Sequence, residues 1–176
     1  LELCRPWDLY THWFAKLSAW RIGSSWWRSI ILIIIAFLLP QPYSLGCPVS
    51  FPYFILFVCS SMTAFLFWTA YHMLITAIRM NITWGEGPCI ILLLIGDILS
   101  GIYFPLQMWP DFMQPFLFIQ PFASAFDLPL QFYVGSIALD QAFGTIFLQL
   151  GWGIVFVIYG RLIMQKKIKR LIVQGG

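Results

Sequence analysis

Residues 51–78 run for 28 positions without one Asp, Glu, Lys or Arg. A helix crosses the hydrocarbon core of a bilayer in about 20 residues, so an uncharged run of this length reads as a membrane span. The composition agrees. Hydrophobic residues make up 60% of the chain and charged residues 10%, with a mean hydropathy of +0.83, whereas a soluble domain carries about a quarter charged residues. The expected fold is all-α: a polytopic transmembrane helical bundle in the lipid bilayer. A polar, tryptophan-rich stretch precedes the first apolar run, and no signal peptide is visible. Cys4, Cys47, Cys59 and Cys89 have no C-x-x-C spacing, so neither a disulfide framework nor a zinc site is expected.

Two further runs, 88–107 and 141–160, also reach crossing length. A fourth span is expected over 26–42. There the short run "SIILIIIAFLL" extends backward through Trp27 and Trp26, an interfacial aromatic pair, while Arg28 snorkels toward the headgroups. Asp97 falls inside the 88–107 run, and a central carboxylate costs about 2.5 to 3.5 kcal/mol on insertion. Eleven Ile, Leu or Phe side chains between Ile90 and Leu106, at about −0.3 to −0.6 kcal/mol each, outweigh it.

Charge then decides sidedness. With four spans and a cytoplasmic start, all ten basic residues share the inner side: Arg5, Lys16, Arg21, Arg28, Arg79, Arg161, Lys166, Lys167, Lys169 and Arg170. The loops left outside, 40–50 and 108–140, contain only acidic charges, Asp111, Asp127 and Asp140. This is a positive-inside pattern, with both ends of the chain cytoplasmic. It constrains the stretch "LSGIYFPLQMWPDFMQPFLFIQPF", residues 99–122, which is apolar yet cut by Pro105, Pro110, Pro115 and Pro121. A full crossing at 112–126 would put the basic tail outside. The segment is therefore expected to enter from the outer face and return as a re-entrant helical hairpin, covered by the other spans because irregular backbone survives at that depth only under cover. The organisation expected is a cytosolic amphipathic helix over 1–25, a transmembrane domain over 26–164 and a basic cytosolic tail over 165–176.

Four segments, "LELCRPWDLY", the 99–122 passage, "DLPLQFYVG" and the terminal "KKIKRLIVQGG", match in order and spacing the permease subunits of type-2 ATP-binding-cassette (ABC) exporters, which the chain resembles over essentially its whole length. Cys4 departs from the pattern, standing where the family has an aliphatic residue. The resemblance is to the last four of six spans, and implies that the family's N-terminal part is missing here. It also implies a cell-membrane permease that forms a pathway with a second permease subunit, as a homo- or heterodimer, and docks a separate ATPase subunit. No G-x-x-x-x-G-K-[ST] loop occurs in the chain. No cofactor is expected in it, and Mg-ATP belongs to the partner subunit. Arg5, Pro6, Trp7 and Asp8 then become ATPase-coupling candidates, and Asp97, Gly101, Pro105, Pro110, Pro121 and Phe122 become pathway or gate candidates.

Alternatives stay open at several of these residues. Trp7, Tyr10, Trp13, Phe14, Leu17 and Trp20 make one helical face that serves either coupling or interfacial anchoring. Asp97 belongs either to a pathway or to a packed polar contact. Gly96, Gly101, Gly144, Gly151, Gly153 and Gly160 permit close helix approach, while Gly101 with Pro105 offers a hinge. His72 reads as a packed or interface-facing side chain. The basic tail reads as orientation and lipid attraction, with ATPase contact second and nucleic acid not expected. An intramembrane protease or lipid hydrolase would need a catalytic constellation such as His-Glu-x-x-His or G-x-S-x-G, which is missing from the sequence. A structural membrane subunit without its own pathway is the third alternative.

Overall fold

The computed structural model describes residues 8–40, 44, 46–80, 82 and 85–168. Its six helices are α1 (Leu9–Leu38), α2 (Phe51–Arg79), α3 (Gly87–Leu99), α4 (Gln114–Ile119), α5 (Asp127–Val134) and α6 (Leu139–Ile168). Single 3₁₀ segments lie at Leu106–Met108 and Pro121–Ala125, and no strand occurs among the described residues. The fold is all-helical. Three helices, α1, α2 and α6, are long and apolar enough to cross a membrane, and they mark this as a membrane protein.

Two boundaries differ from the sequence reading. The run expected to span 88–107 forms a helix of only 13 residues that stops at Leu99, a length of about 20 Å. Gly101 adopts φ +88°, a left-handed conformation that glycine takes at least cost and that ends a helix. Pro105 lacks an N–H, and in a continued helix its ring would strike the Gly101 carbonyl. The expected bend between Gly101 and Pro105 is thus a helix terminus. At the other end of the chain, α1 runs unbroken for 30 residues from Leu9, through the position where an amphipathic segment was expected to give way to a span. Arg5, Pro6, Trp7 and residues 169–176 lie outside the described residues.

α2 and α6 form the centre of the bundle and run parallel. Residue 149 meets residue 60, and Gly160 meets the backbone of Leu74, where a Cβ would lie 3.4 Å from the Leu74 Cα. α3 runs antiparallel to α2, with the Tyr71 hydroxyl donating to the Leu92 carbonyl. α1 seats its aromatic face on the ends of the two central helices. Tyr10 is buried with Met73, Ala77 and Met164, and Trp13, Phe14 and Leu17 pack around them. That face therefore meets protein, although Trp20, on the same stripe, stays exposed.

Glycine is needed where helices touch most closely. At Gly96 an added Cβ would stand 2.7 Å from Tyr71 Cε1 and 3.2 Å from Phe122 Cε1, whereas Gly144 and Gly151 face open space. Gly96→Val should lower the stability of the purified protein in detergent by about 1–3 kcal/mol through overpacking, and Gly144→Ala, in a helix interior with open space beside it, should raise it by up to about 1 kcal/mol. Thermal unfolding of the two variants side by side checks both statements.

Candidate functional site

Proline decides the backbone chemistry of residues 99–126. Each interruption leaves carbonyls without intrahelical donors, and a buried carbonyl needs a partner. Four carbonyls of the passage receive side-chain donors, one of them that of Trp109, which accepts from Gln114 Nε2 at 3.3 Å. The Leu99 carbonyl, at the end of α3, accepts from Gln120 Nε2 at 2.8 Å. The Ile119 carbonyl, at the end of α4, accepts from Trp152 Nε1 at 3.2 Å. The Ser124 carbonyl accepts from Gln149 Nε2 at 2.6 Å. Gln120 also closes the turn it begins, its Oε1 accepting from the Phe122 N–H at 2.8 Å.

Gln149 is fully buried on α6 and uses both ends of its amide. Its Oε1 accepts from the Ser60 and Thr63 hydroxyls, and its Nε2 donates to the Ser60 carbonyl at 3.1 Å as well as to Ser124. One side chain thereby joins α2, α6 and the 3₁₀ turn. Beside it lies an aromatic cluster. Phe122 meets Tyr71 edge to face at 4.9 Å between ring centroids, and Phe67 and Phe156 at 6.3 and 6.1 Å. Residues 114–122 thus lead from the Leu106 and Leu117 cluster down to Phe67 and Tyr71 of α2. α5 then runs back toward the start of α2, where Phe57 meets Tyr133 edge to face at 5.3 Å. Phe57 and Phe67 are ten residues apart on α2, so the passage spans about 15 Å of the bundle's height.

The site residues expected from sequence fall into three groups. Phe122 and Pro121 enter the aromatic cluster and its turn, and Gly101 lies under the same passage, where a Cβ would stand 3.4 Å from Leu106 Cγ and 3.5 Å from Asp127 Cβ. Pro105 and Pro110 are exposed, at the starts of turns closed by Met108 N–H to Pro105 and Met113 N–H to Pro110, each 2.9 Å. Asp97 is half-buried one residue from Gly96, and its backbone carbonyl accepts from Ser100 Oγ at 2.8 Å. The chain brings Gly101, Pro121 and Phe122 together around one passage and leaves Pro105 and Pro110 at its rim.

Arg5, Pro6 and Trp7 lie outside the described residues, and Asp8 precedes the first turn of α1. The Thr11 hydroxyl donates to Asp8 Oδ2 at 2.7 Å, and Arg161 of α6 pairs with the same oxygen. Thr11, with the Arg161 charge behind it, holds the Asp8 carboxyl below its usual value against the opposing cost of partial burial. A carboxylate depressed in this way keeps its pair above the ordinary carboxylate range and loses it only as pH falls through the lowered value. His72 packs edge-on against Trp68 at 5.5 Å. No group of three His, Cys, Asp or Glu side chains able to hold a metal ion occurs among the described residues.

Gln120, Gln149 and Trp152 were missed in the sequence. The available signal was an amide placed well inside each of two apolar runs, because an unhydrated amide must find partners. Comparison with family profiles, with characterised proteins and with solved structures returned no match to this chain.

Gln149→Leu should cost about 1–3 kcal/mol, because the Ser60, Thr63 and Ser124 groups lose their common partner. Thr63→Ala should cost less, and the two changes together should cost less than their sum, since they share one hydrogen bond. A double-mutant cycle on detergent unfolding measures the coupling.

Proposed function

We propose that the chain is the membrane-spanning permease part of a type-2 ABC exporter. In this reading it lies in the cell membrane with both described ends cytoplasmic, forms a pathway with a second permease subunit, and relies on a separate subunit to bind and hydrolyse Mg-ATP. The observation that carries the reading is the proline-broken passage: it leaves the end of α3, reaches Phe122 between α2, α3 and α6, and returns through α5 to the start of α6. That course is the one an outer re-entrant hairpin takes. The Asp8–Arg161 pair supports the topology, because it holds the first and last described helical ends at one end of the bundle.

The geometry also supports a route for coupling. α1 begins at the segment that carries Arg5, Pro6 and Trp7, and its first turns sit on Met73, Ala77 and Met164. Gly160 lets the Tyr10 ring approach α6 to a distance that a Cβ would occupy at 3.2 Å. Force applied ahead of Asp8 therefore reaches the two central helices through packed side chains. ATP binding would act by favouring one arrangement of two such bundles over another. Gln149 would transmit that choice to the passage, since it bonds α2, α6 and Ser124 at once.

Two measurements test the reading. In intact cells a membrane-impermeant maleimide should label exposed Cys47, between α1 and α2, and should fail to label Glu86→Cys, between α2 and α3, once Cys47→Ser has removed the native site. The reverse pattern rejects the topology. Co-expression with an ATP-binding-cassette ATPase subunit from the same genome should give a complex whose hydrolysis falls in Arg5→Ala while membrane insertion is retained. Absence of any complex rejects the exporter assignment.

A further inference from the structure

Arg21 lies in a cleft of about 390 Å³ between α1 and α2, with Ala125, Phe126, Pro129 and Leu130 along a third side. It is level with Ala64 and Trp68 of α2, so it sits 11 or more residues, about 16 Å, from the Arg79 end of that helix. No acidic side chain lines the cleft. The Arg21 Nε is buried and has no hydrogen-bond partner among the described residues, and neither ion pair there includes this guanidinium. A cation among membrane helices normally pairs with an anion or with backbone carbonyls. This one has neither, and a buried donor left unsatisfied is costly.

The rest of the lining defines what would complete it. Ser25 and Ser61 place hydroxyls in the cleft, while Ala64, Trp68 and Phe126 make its walls apolar. The volume falls in the ~300–1,000 Å³ range of small-molecule sites. A guanidinium presents a fork of N–H donors that matches two oxygens of one phosphate. Apolar walls exclude a bare inorganic anion, and the lone positive charge disfavours a lipid of zero net charge. We propose that the cleft binds an anionic phospholipid from the bilayer, its phosphodiester on Arg21 and an acyl chain against Trp68 and Phe126. The site goes beyond the exporter reading and requires no ATPase.

The test uses the protein purified in neutral detergent and offered equal amounts of phosphatidylglycerol and phosphatidylcholine, with bound lipid read by native mass spectrometry. Phosphatidylglycerol should be retained preferentially. Arg21→Gln should reduce its retention about tenfold, the loss of one charge-assisted hydrogen-bonded contact, and Arg21→Lys should restore part of it. Ala64→Leu, which fills the cleft and keeps the charge, should also lose the lipid. Arg28→Gln, an exposed cation on the same helix, should have no effect. Equal retention of the two lipids, unchanged retention in Arg21→Gln or Ala64→Leu, or an equal loss in Arg28→Gln each overturns the proposal. Thermal unfolding of every variant separates loss of the site from loss of the fold. These lipid measurements stand apart from Cys47 labelling and ATPase association, so either reading can fail alone.

Discussion

A backbone that is not continuously helical must still satisfy its carbonyls where water is scarce, and this requirement organises the described bundle. Residues 99–126 create the demand, since their prolines remove donors and end helices early. Gln120, Gln149 and Trp152 meet it at Leu99, Ser124 and Ile119. Hydrogen bonds of this kind contribute little individually, but leaving their acceptors bare is expensive, so the network specifies where the passage sits more than it adds stability. Gln149 holds the central position because its four contacts tie two long helices to the turn at Phe122.

Packing follows from that placement. Phe122 enters the bundle only because Gly96 leaves space beside Tyr71, and the same absence of a side chain brings α3 against α2. A few residues further along α2, Gly160 admits the Tyr10 ring beside Leu74, and the Asp8–Arg161 pair closes the edge of that contact. The pair is half exposed and adds little stability by itself. Its value is geometric, since it ties the start of α1 to the C-terminal part of α6. Tyr71 and Leu74 are three residues, about 4.5 Å, apart on α2, so the two close contacts adjoin and join α1, α3 and Phe122 to one region of the central helices.

Much of the helical framework was legible from uncharged length. The 51–78 and 141–160 runs lie inside α2 and α6, because apolar residues with no proline beyond the first turn have few other conformations available in lipid. The 88–107 run misled, since hydropathy does not register that Gly101 and Pro105 end a helix inside an apolar stretch. The site was legible in part. Gly101 stood out through glycine and proline chemistry, and Pro121 and Phe122 only through the family resemblance, whereas Gln149 did not stand out, because its importance depends on Ser60 and Thr63, which lie 86 residues or more away in the chain. Gly144 and Gly151 were indistinguishable from Gly96 by residue type, and only their surroundings separate them.

By itself the sequence determined that the chain is helical and apolar, where two of its long helices, α2 and α6, lie, and that proline interrupts the passage between α3 and α5. Those properties follow from local hydrophobicity and from backbone sterics, which act over a few residues. Tertiary structure alone decided which carbonyls the amides of Gln120 and Gln149 satisfy, which glycines separate touching helices, and that Arg21 faces a cleft with no counter-charge. Each of these depends on groups distant in sequence meeting at hydrogen-bonding or van der Waals range, and no local pattern encodes that proximity.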